Sequence, residues 1–194
     1  MQERCIVFAA LLCFALPAMA QNWLAPQEAG LRYSEQFSNS PAGSCGCFTL
    51  QGLAADAYWK SGFRKGGTGL GLAADIGLEH TGNIPGAGYG LTFSTFSAGP
   101  RLSLPTGRTH TFAQALFGLA HGAGTDFPAS GNTLVHSANS FAFDLGAAAE
   151  YPLLHRLSLR FLQADYMRTA FPNNSTNWQN HIRLGAGLTL RLAR

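Results

Sequence analysis

The chain has 194 residues and a formal net charge of +3, and only 12% of its residues are charged while 23 are glycine. So mild a positive charge, with no cluster of basic residues, excludes a nucleic-acid binder. The absence of any run of about 18 apolar residues excludes a helical membrane protein. Abundant glycine with few charges favours an all-β protein whose outer surface need not face water.

The N-terminus has the pattern of a secretory signal peptide. Arg4 supplies the positive charge, the apolar run 5–16 follows, and Pro17 ends it before the small residues of Ala18-Met19-Ala20. The run is shorter than the roughly 20 residues that an N-terminal membrane anchor would need. We therefore predict a signal peptide over residues 1–20 and a single barrel domain over residues 21–194.

Two cysteines, Cys45 and Cys47, remain after cleavage, separated by one glycine. In the oxidising cell envelope they could form a local disulfide, or they could stay as two free thiols with a structural role. Two thiolates without a neighbouring histidine make only half of a metal site. We expect no metal and no cofactor.

Alternation of apolar with small or polar residues predicts eight β-strands. It is clearest in the last one, where every even-numbered residue from 182 to 192 is aliphatic and the odd-numbered ones are Gly, Thr or Arg. A phase slip predicts a bulge near Leu162, and Pro100 predicts a bulge or the start of the end of its strand. The predicted strands are 30–37, 48–59, 69–79, 89–104, 111–121, 141–151, 157–169 and 182–192.

Charged residues lie on the small-residue face of these strands, opposite the aliphatic face. A soluble sandwich has no reason to make its charged face rich in glycine and alanine, whereas a closed barrel has a narrow interior whose residues must be small or must pair as charges. Buried charges need partners, and both signs are present, with Arg32 on the basic side. We predict an interior ion-pair network formed by Asp75, Glu79, Asp144, Glu150, Arg160, Arg183 and Arg191.

The predicted connections tend to alternate in length. Those after the even-numbered strands are short, and those after the odd-numbered strands are longer or more polar, the longest being 122–140. Short periplasmic turns and longer extracellular loops are typical of bacterial outer-membrane barrels. The sequence therefore predicts an all-β fold: an eight-stranded antiparallel up-and-down transmembrane β-barrel.

Over residues 21–194 the chain resembles the bacterial outer-membrane β-barrel domain family, of the small OmpA-like, "porin family" type. A similarity to the closing hairpin of such sequences lies in the stretch Asp165-Tyr166 … Phe171-Pro172-Asn173. A polar loop and the last strand follow it. The resemblance implies a place in the cell outer membrane, contact with its lipid, and assembly by periplasmic chaperones and the barrel assembly machinery. Members usually end in an aromatic residue; here we expect Leu192 or an internal segment to carry the assembly signal.

These observations predict a non-enzymatic barrel with a structural role, or one that binds an unidentified ligand through its extracellular loops. A narrow passive pore is one alternative, and a soluble lipocalin-like periplasmic barrel is another. A third is an outer-leaflet lipid hydrolase or acyltransferase, because histidines, a serine and carboxylates fall toward the predicted extracellular end. Its candidate residues are Glu79, His80, His121, Asp126 and Ser137.

Overall fold

A computed structural model describes residues 26–39, 48–65, 68–84, 88–129, 133–173 and 177–192. The predicted signal peptide and the pair Cys45 and Cys47 lie outside these residues. No helix in the described ranges is both long and apolar enough to cross a bilayer.

The described chain forms one closed antiparallel barrel of eight strands, in which each strand pairs with the next and the last pairs with the first. This confirms the predicted fold. The strands are β1 (Glu28–Ser38), β2 (Phe48–Lys65), β3 (Thr68–Thr81), β4 (Leu91–Thr106), β5 (Thr109–Ala129), β6 (Thr133–Pro152), β7 (Leu157–Thr169) and β8 (Gln179–Arg191).

The period-2 alternation places aliphatic side chains outside the barrel and polar side chains inside it. In β8, Leu188 is 47% exposed, whereas Arg183 on the opposite face is 0% exposed. In β3, Ile76 is likewise 56% exposed, whereas Asp75 on the opposite face is 1% exposed. Successive residues of a strand point to opposite faces, so the barrel is apolar outside and charged inside.

The connections divide the barrel into two ends. The turn end carries the first residues of β1, the last of β8, and the short connections 66–67, 107–108 and 153–156. In the second of these turns Gly107 has a φ of 64°, a left-handed conformation that suits glycine and matches the twist of a two-residue hairpin. The hairpin end carries the longer connections 39–47, 82–90 and 170–178, together with the connection between β5 and β6.

The prediction of a long loop over residues 122–140 is wrong, because most of these residues form strand. The β5–β6 ladder continues past Ala123↔Ser137, changes register once, and resumes at Phe127↔Val135. The change of register is a bulge, and a bulge interrupts the period-2 pattern that reveals a strand. β5 and β6 therefore run beyond the other strands, and we call their outer parts, residues 124–129 and 133–136, the β5–β6 hairpin tip.

Two further predictions concern irregularities within the strands. The predicted bulge near Leu162 is confirmed, since the β6–β7 register shifts between Ala149↔Leu162 and Glu150↔Arg160. No bulge occurs at Pro100: β4 continues to Thr106, and its pairing with β3 runs through Leu72↔Pro100 without a shift. The pairing with β5 is interrupted there, between Ala98↔Phe117 and Arg101↔Gln114, and resumes in the same register. A proline removes one N–H donor from a ladder, but this does not by itself move the register.

Candidate functional site

The interior of the barrel contains a network of buried ion pairs, and its first part is centred on Asp56 of β2. The Asp56 carboxylate lies 2.9 Å from Arg101 of β4, 2.6 Å from Arg160 of β7 and 3.6 Å from Arg32 of β1. Arg160 also binds Glu150 of β6 at 2.8 Å. One carboxylate thus holds together guanidinium groups from three separate strands.

The second part of the network is centred on Arg183 of β8. Its guanidinium lies 3.0 Å from Asp144, 3.2 Å from both Asp75 and Asp165, and 3.5 Å from Glu79. The Arg183 side chain is fully buried, and each of the four carboxylates is 2% exposed or less. A guanidinium has five N–H donors in a planar fork, so a single Arg can serve several carboxylates.

Arg32 joins the two parts. Its guanidinium contacts Asp75 at 2.7 Å and Asp165 at 3.8 Å, in addition to Asp56. Four guanidinium groups and six carboxyl groups therefore form one connected cluster across the middle of the barrel. An eight-stranded barrel leaves an interior that side chains can just fill, and here charged side chains occupy it.

Neutral polar groups and aromatic rings complete the cluster. Gln163 donates to Asp165 at 2.9 Å and accepts from Arg160 at 2.9 Å. Thr189 donates to Glu150 at 2.7 Å. The guanidinium of Arg101 lies 4.0 Å from the centroid of the Phe112 ring, a cation–π contact. Such contacts provide partners for buried polar groups in addition to the ion pairs.

The structure brings together six of the seven residues that the sequence analysis assigned to an interior network. These six are Asp75, Glu79, Asp144, Glu150, Arg160 and Arg183. Arg191 is the exception: within the described ranges no ion pair of Arg191 is found. It lies half-buried at the turn end opposite Glu28, whose carboxylate binds Lys60 at 2.7 Å instead.

Sequence reasoning missed Asp56, Arg101 and Asp165 as members of the network. Asp56 shares the inward face of β2 with Ala54 and Tyr58, so its position in the alternation could have identified it. Arg101 follows Pro100, where the strand was expected to bulge or end. Asp165 follows the bulge near Leu162, and a bulge reverses which residues point inward.

The residues proposed for a lipid-modifying enzyme do not converge. Glu79 is buried inside the barrel, whereas His80 is exposed on the outer face and contacts Thr92 at 3.1 Å. His121 is also exposed, and its Nδ1 lies 2.7 Å from Asn139. The wall of the barrel separates this carboxylate from both histidines, so they cannot form a hydrogen-bonded triad.

Two further residues of that set lie on β5 and β6. The Asp126 carboxylate lies 2.8 Å from His136, which is 88% exposed at the hairpin tip, while Ser137 is exposed on β6. In the described part of the chain no group of three or more His, Cys, Asp or Glu residues could hold a metal ion.

Comparisons with known proteins rest on structure alone. No protein-family model matches the chain, and no curated protein sequence matches it. Among solved structures, Neisserial surface protein A (NspA) has a TM-score of 0.59 and 15% identity, with 85% of this chain and 96% of that chain covered.

Two other solved structures have the same architecture. Ail, the attachment invasion locus protein of Yersinia pestis, has a TM-score of 0.53 and 15% identity, over 85% of this chain and 99% of that chain. The outer membrane enzyme PagL has a TM-score of 0.50 and 13% identity, over 83% of this chain and 99% of that chain. At such low identity the likeness concerns the fold, and this chain is a closed eight-stranded barrel similar in fold to these small barrels.

Proposed function

We propose that this protein is a small outer-membrane β-barrel of the bacterial cell envelope, closed to conduction, with a structural or binding role. The observation that carries the proposal is the inverted distribution of side chains, aliphatic outside and ion-paired inside. In water an exterior of this kind would be a large exposed apolar surface, which soluble monomers avoid. In a bilayer, lipid covers it.

The dimensions of the strands support this proposal. β3 has 14 residues, which at about 3.3 Å per residue and a tilt of about 40° spans roughly 35 Å along the barrel axis. The apolar band of an outer-membrane barrel is about 25 Å tall. The affiliation with OmpA-like barrels, and assembly by periplasmic chaperones and the barrel assembly machinery, belong to the same proposal.

The ion-paired interior argues against a pore. Arg32, Arg160 and Arg183 are each 1% exposed or less, and they connect strands from opposite sides of the barrel. An ion crossing the membrane would have to displace these pairs. In planar-bilayer recordings we expect no large steady conductance from the purified barrel, and such a conductance would contradict the closed interior.

The β5–β6 hairpin tip is the part best placed to bind a partner. β4 pairs with β5 only as far as Thr92↔Ala123, and β6 pairs with β7 only from Ala142↔Thr169. Beyond these points the backbone edges of the hairpin pair with no neighbouring strand within the described part of the chain. A free strand edge can pair with a strand of another chain, which favours binding through this end.

The orientation and location can be tested together by labelling intact cells. In a background with Cys45 and Cys47 replaced by serine, Leu134→Cys at the hairpin tip should react with a membrane-impermeant maleimide. Leu104→Cys at the turn end should react only after the cells are opened. Equal labelling of both sites in intact cells, or extraction of the protein without detergent, would contradict an outer-membrane barrel with its hairpin end outside.

We propose a non-enzymatic role, because Glu79 lies on the opposite side of the barrel wall from His80 and His121. The test is lipid deacylation by the purified barrel and by its His80→Ala and His121→Ala variants. We expect no activity in any of the three proteins. Activity that is lost on replacing either histidine would overturn the non-enzymatic role.

A further inference from the structure

The hairpin end of the barrel holds a cavity that differs from the charged middle. Its volume is about 430 Å³, within the range of about 300–1,000 Å³ that is usual for small-molecule sites. Its described lining is mainly apolar, and the mouth of a β-barrel is a common place for such sites. We call it the mouth pocket.

Aromatic rings form the wall of the mouth pocket. Phe171, from the connection between β7 and β8, lies 6.0 Å from Phe93 of β4 and 5.3 Å from Phe127 of β5, measured between ring centroids. Leu50 of β2 and Leu91 of β4 are buried in the same cluster. A ring or a short aliphatic chain would find apolar contacts on several sides.

The floor of the mouth pocket is a hydrogen-bonded row around His181, whose protonation follows from its neighbours. Thr169 Oγ1 donates to Gln179 Oε1, which can only accept, so His181 Nε2 must donate to Thr169 Oγ1 at 2.9 Å. Nδ1 then accepts from the Ser38 hydroxyl at 2.7 Å. These bonds hold His181 as the neutral imidazole with its proton on Nε2.

Gln36 supplies a hydrogen-bond acceptor that has no partner among the residues that the structure describes. Its Nε2 donates to Ser38 Oγ at 3.3 Å, while its Oε1 is buried without a hydrogen bond. The side chain is fully buried and lines the mouth pocket. A buried acceptor without a donor costs free energy, so a ligand with an O–H or N–H group at this point would recover that cost.

The charges around the mouth pocket determine which ligands it accepts. No Lys or Arg is among its described lining residues, and its one charged residue, Asp126, is negative and lies against His136. An anionic ligand would therefore be desolvated without a cation to pair with. A neutral ligand avoids this cost.

We propose that the mouth pocket binds a small uncharged amphiphile, an apolar ring or chain with one O–H or N–H donor that bonds to Gln36 Oε1. This site differs from the strand edges of the hairpin tip, to which the proposed function assigns binding, and it uses Phe127 of the tip as part of its wall. Binding requires the mouth pocket, the neutral His181 at its floor and the unpartnered Oε1 of Gln36.

The test uses three naphthalene probes that differ in one group. The barrel in lipid nanodiscs is titrated with 1-naphthol, 1-methoxynaphthalene and 1-naphthoate, and empty nanodiscs measure partition into lipid. We expect one saturable site per barrel for 1-naphthol. Affinity should fall by roughly 10-fold for 1-methoxynaphthalene, which leaves the acceptor unpaired, and further for the anionic 1-naphthoate.

Three variants test whether the probes bind in the mouth pocket. Gln36→Leu should remove the preference for 1-naphthol over 1-methoxynaphthalene, and Leu91→Trp should fill the pocket and abolish binding of both. Leu104→Trp at the turn end is the matched control and should bind as the wild type does. Binding is expressed per folded barrel, measured by heat-sensitive migration on gels.

Three results would overturn the proposal. One is uptake equal to that of empty nanodiscs, which would mean that the pocket takes none of the probes. Another is equal affinity of the wild type for 1-naphthol and 1-methoxynaphthalene. The third is tighter binding of 1-naphthoate than of 1-naphthol, which would show a cationic site.

Discussion

Replacing Arg183 with methionine should be among the most damaging single changes in the barrel interior. The guanidinium contacts four carboxylates at 3.0–3.5 Å, and at an effective dielectric constant of about 20 each contact corresponds to roughly 5 kcal/mol of attraction. Most of this is offset, because the guanidinium need no longer be desolvated and a carboxyl without its cation can take up a proton. Removing one partner of a buried pair costs about 3–5 kcal/mol, and we expect Arg183→Met to lower the free energy of unfolding by that amount.

The measurement is urea unfolding of the purified barrel in lipid vesicles, followed by tryptophan fluorescence. Arg191→Met is the matched control, since it makes the same substitution on the same face of the same strand, where no ion pair is found among the described residues. We expect that change to stay within about 0.5 kcal/mol of the wild type. Equal losses for the two variants would refute the reasoning, since burial among carboxylates would then not decide the cost.

Three further predictions use the same unfolding assay or the yield of folded protein. Ile76→Arg, in the middle of the aliphatic band, should cost about 2–4 kcal/mol, whereas Leu134→Arg at the hairpin tip should cost little; equal costs would contradict a lipid-facing band. Gly52→Ala should cost about 1–3 kcal/mol, because its Cβ would meet the β3 backbone at Leu78, while Gly69→Ala meets no atom within 4 Å and should be neutral; the reverse order would contradict the packing. Asp56→Asn keeps the shape but removes the charge between three guanidinium groups and should cost about 3 kcal/mol; an unchanged unfolding midpoint would show that these pairs contribute nothing.

The alternation of residue types within single strands was sufficient to predict which face of the barrel wall most side chains occupy. The inward or outward direction of Asp75, Asp144 and Arg183 follows from alternation within one strand, which depends only on backbone geometry. The same reasoning failed where the alternation is interrupted. At the bulge in the β5–β6 ladder it predicted a loop. At Pro100 it predicted a bulge or the start of the strand's end, but the register does not shift there and β4 continues to Thr106.

The sequence by itself determined the eight strands, their two faces and the need for charges to pair inside a narrow barrel. Only the tertiary structure decided which charges meet. Arg183 and Asp75 are 108 residues apart, and Arg160 and Asp56 are 104 apart, so their contact depends on the register and closure of several ladders together. For the same reason Arg191, on the inward face of β8, lies opposite a carboxylate that Lys60 already binds. The apolar mouth pocket likewise forms from residues of five strands and three connections.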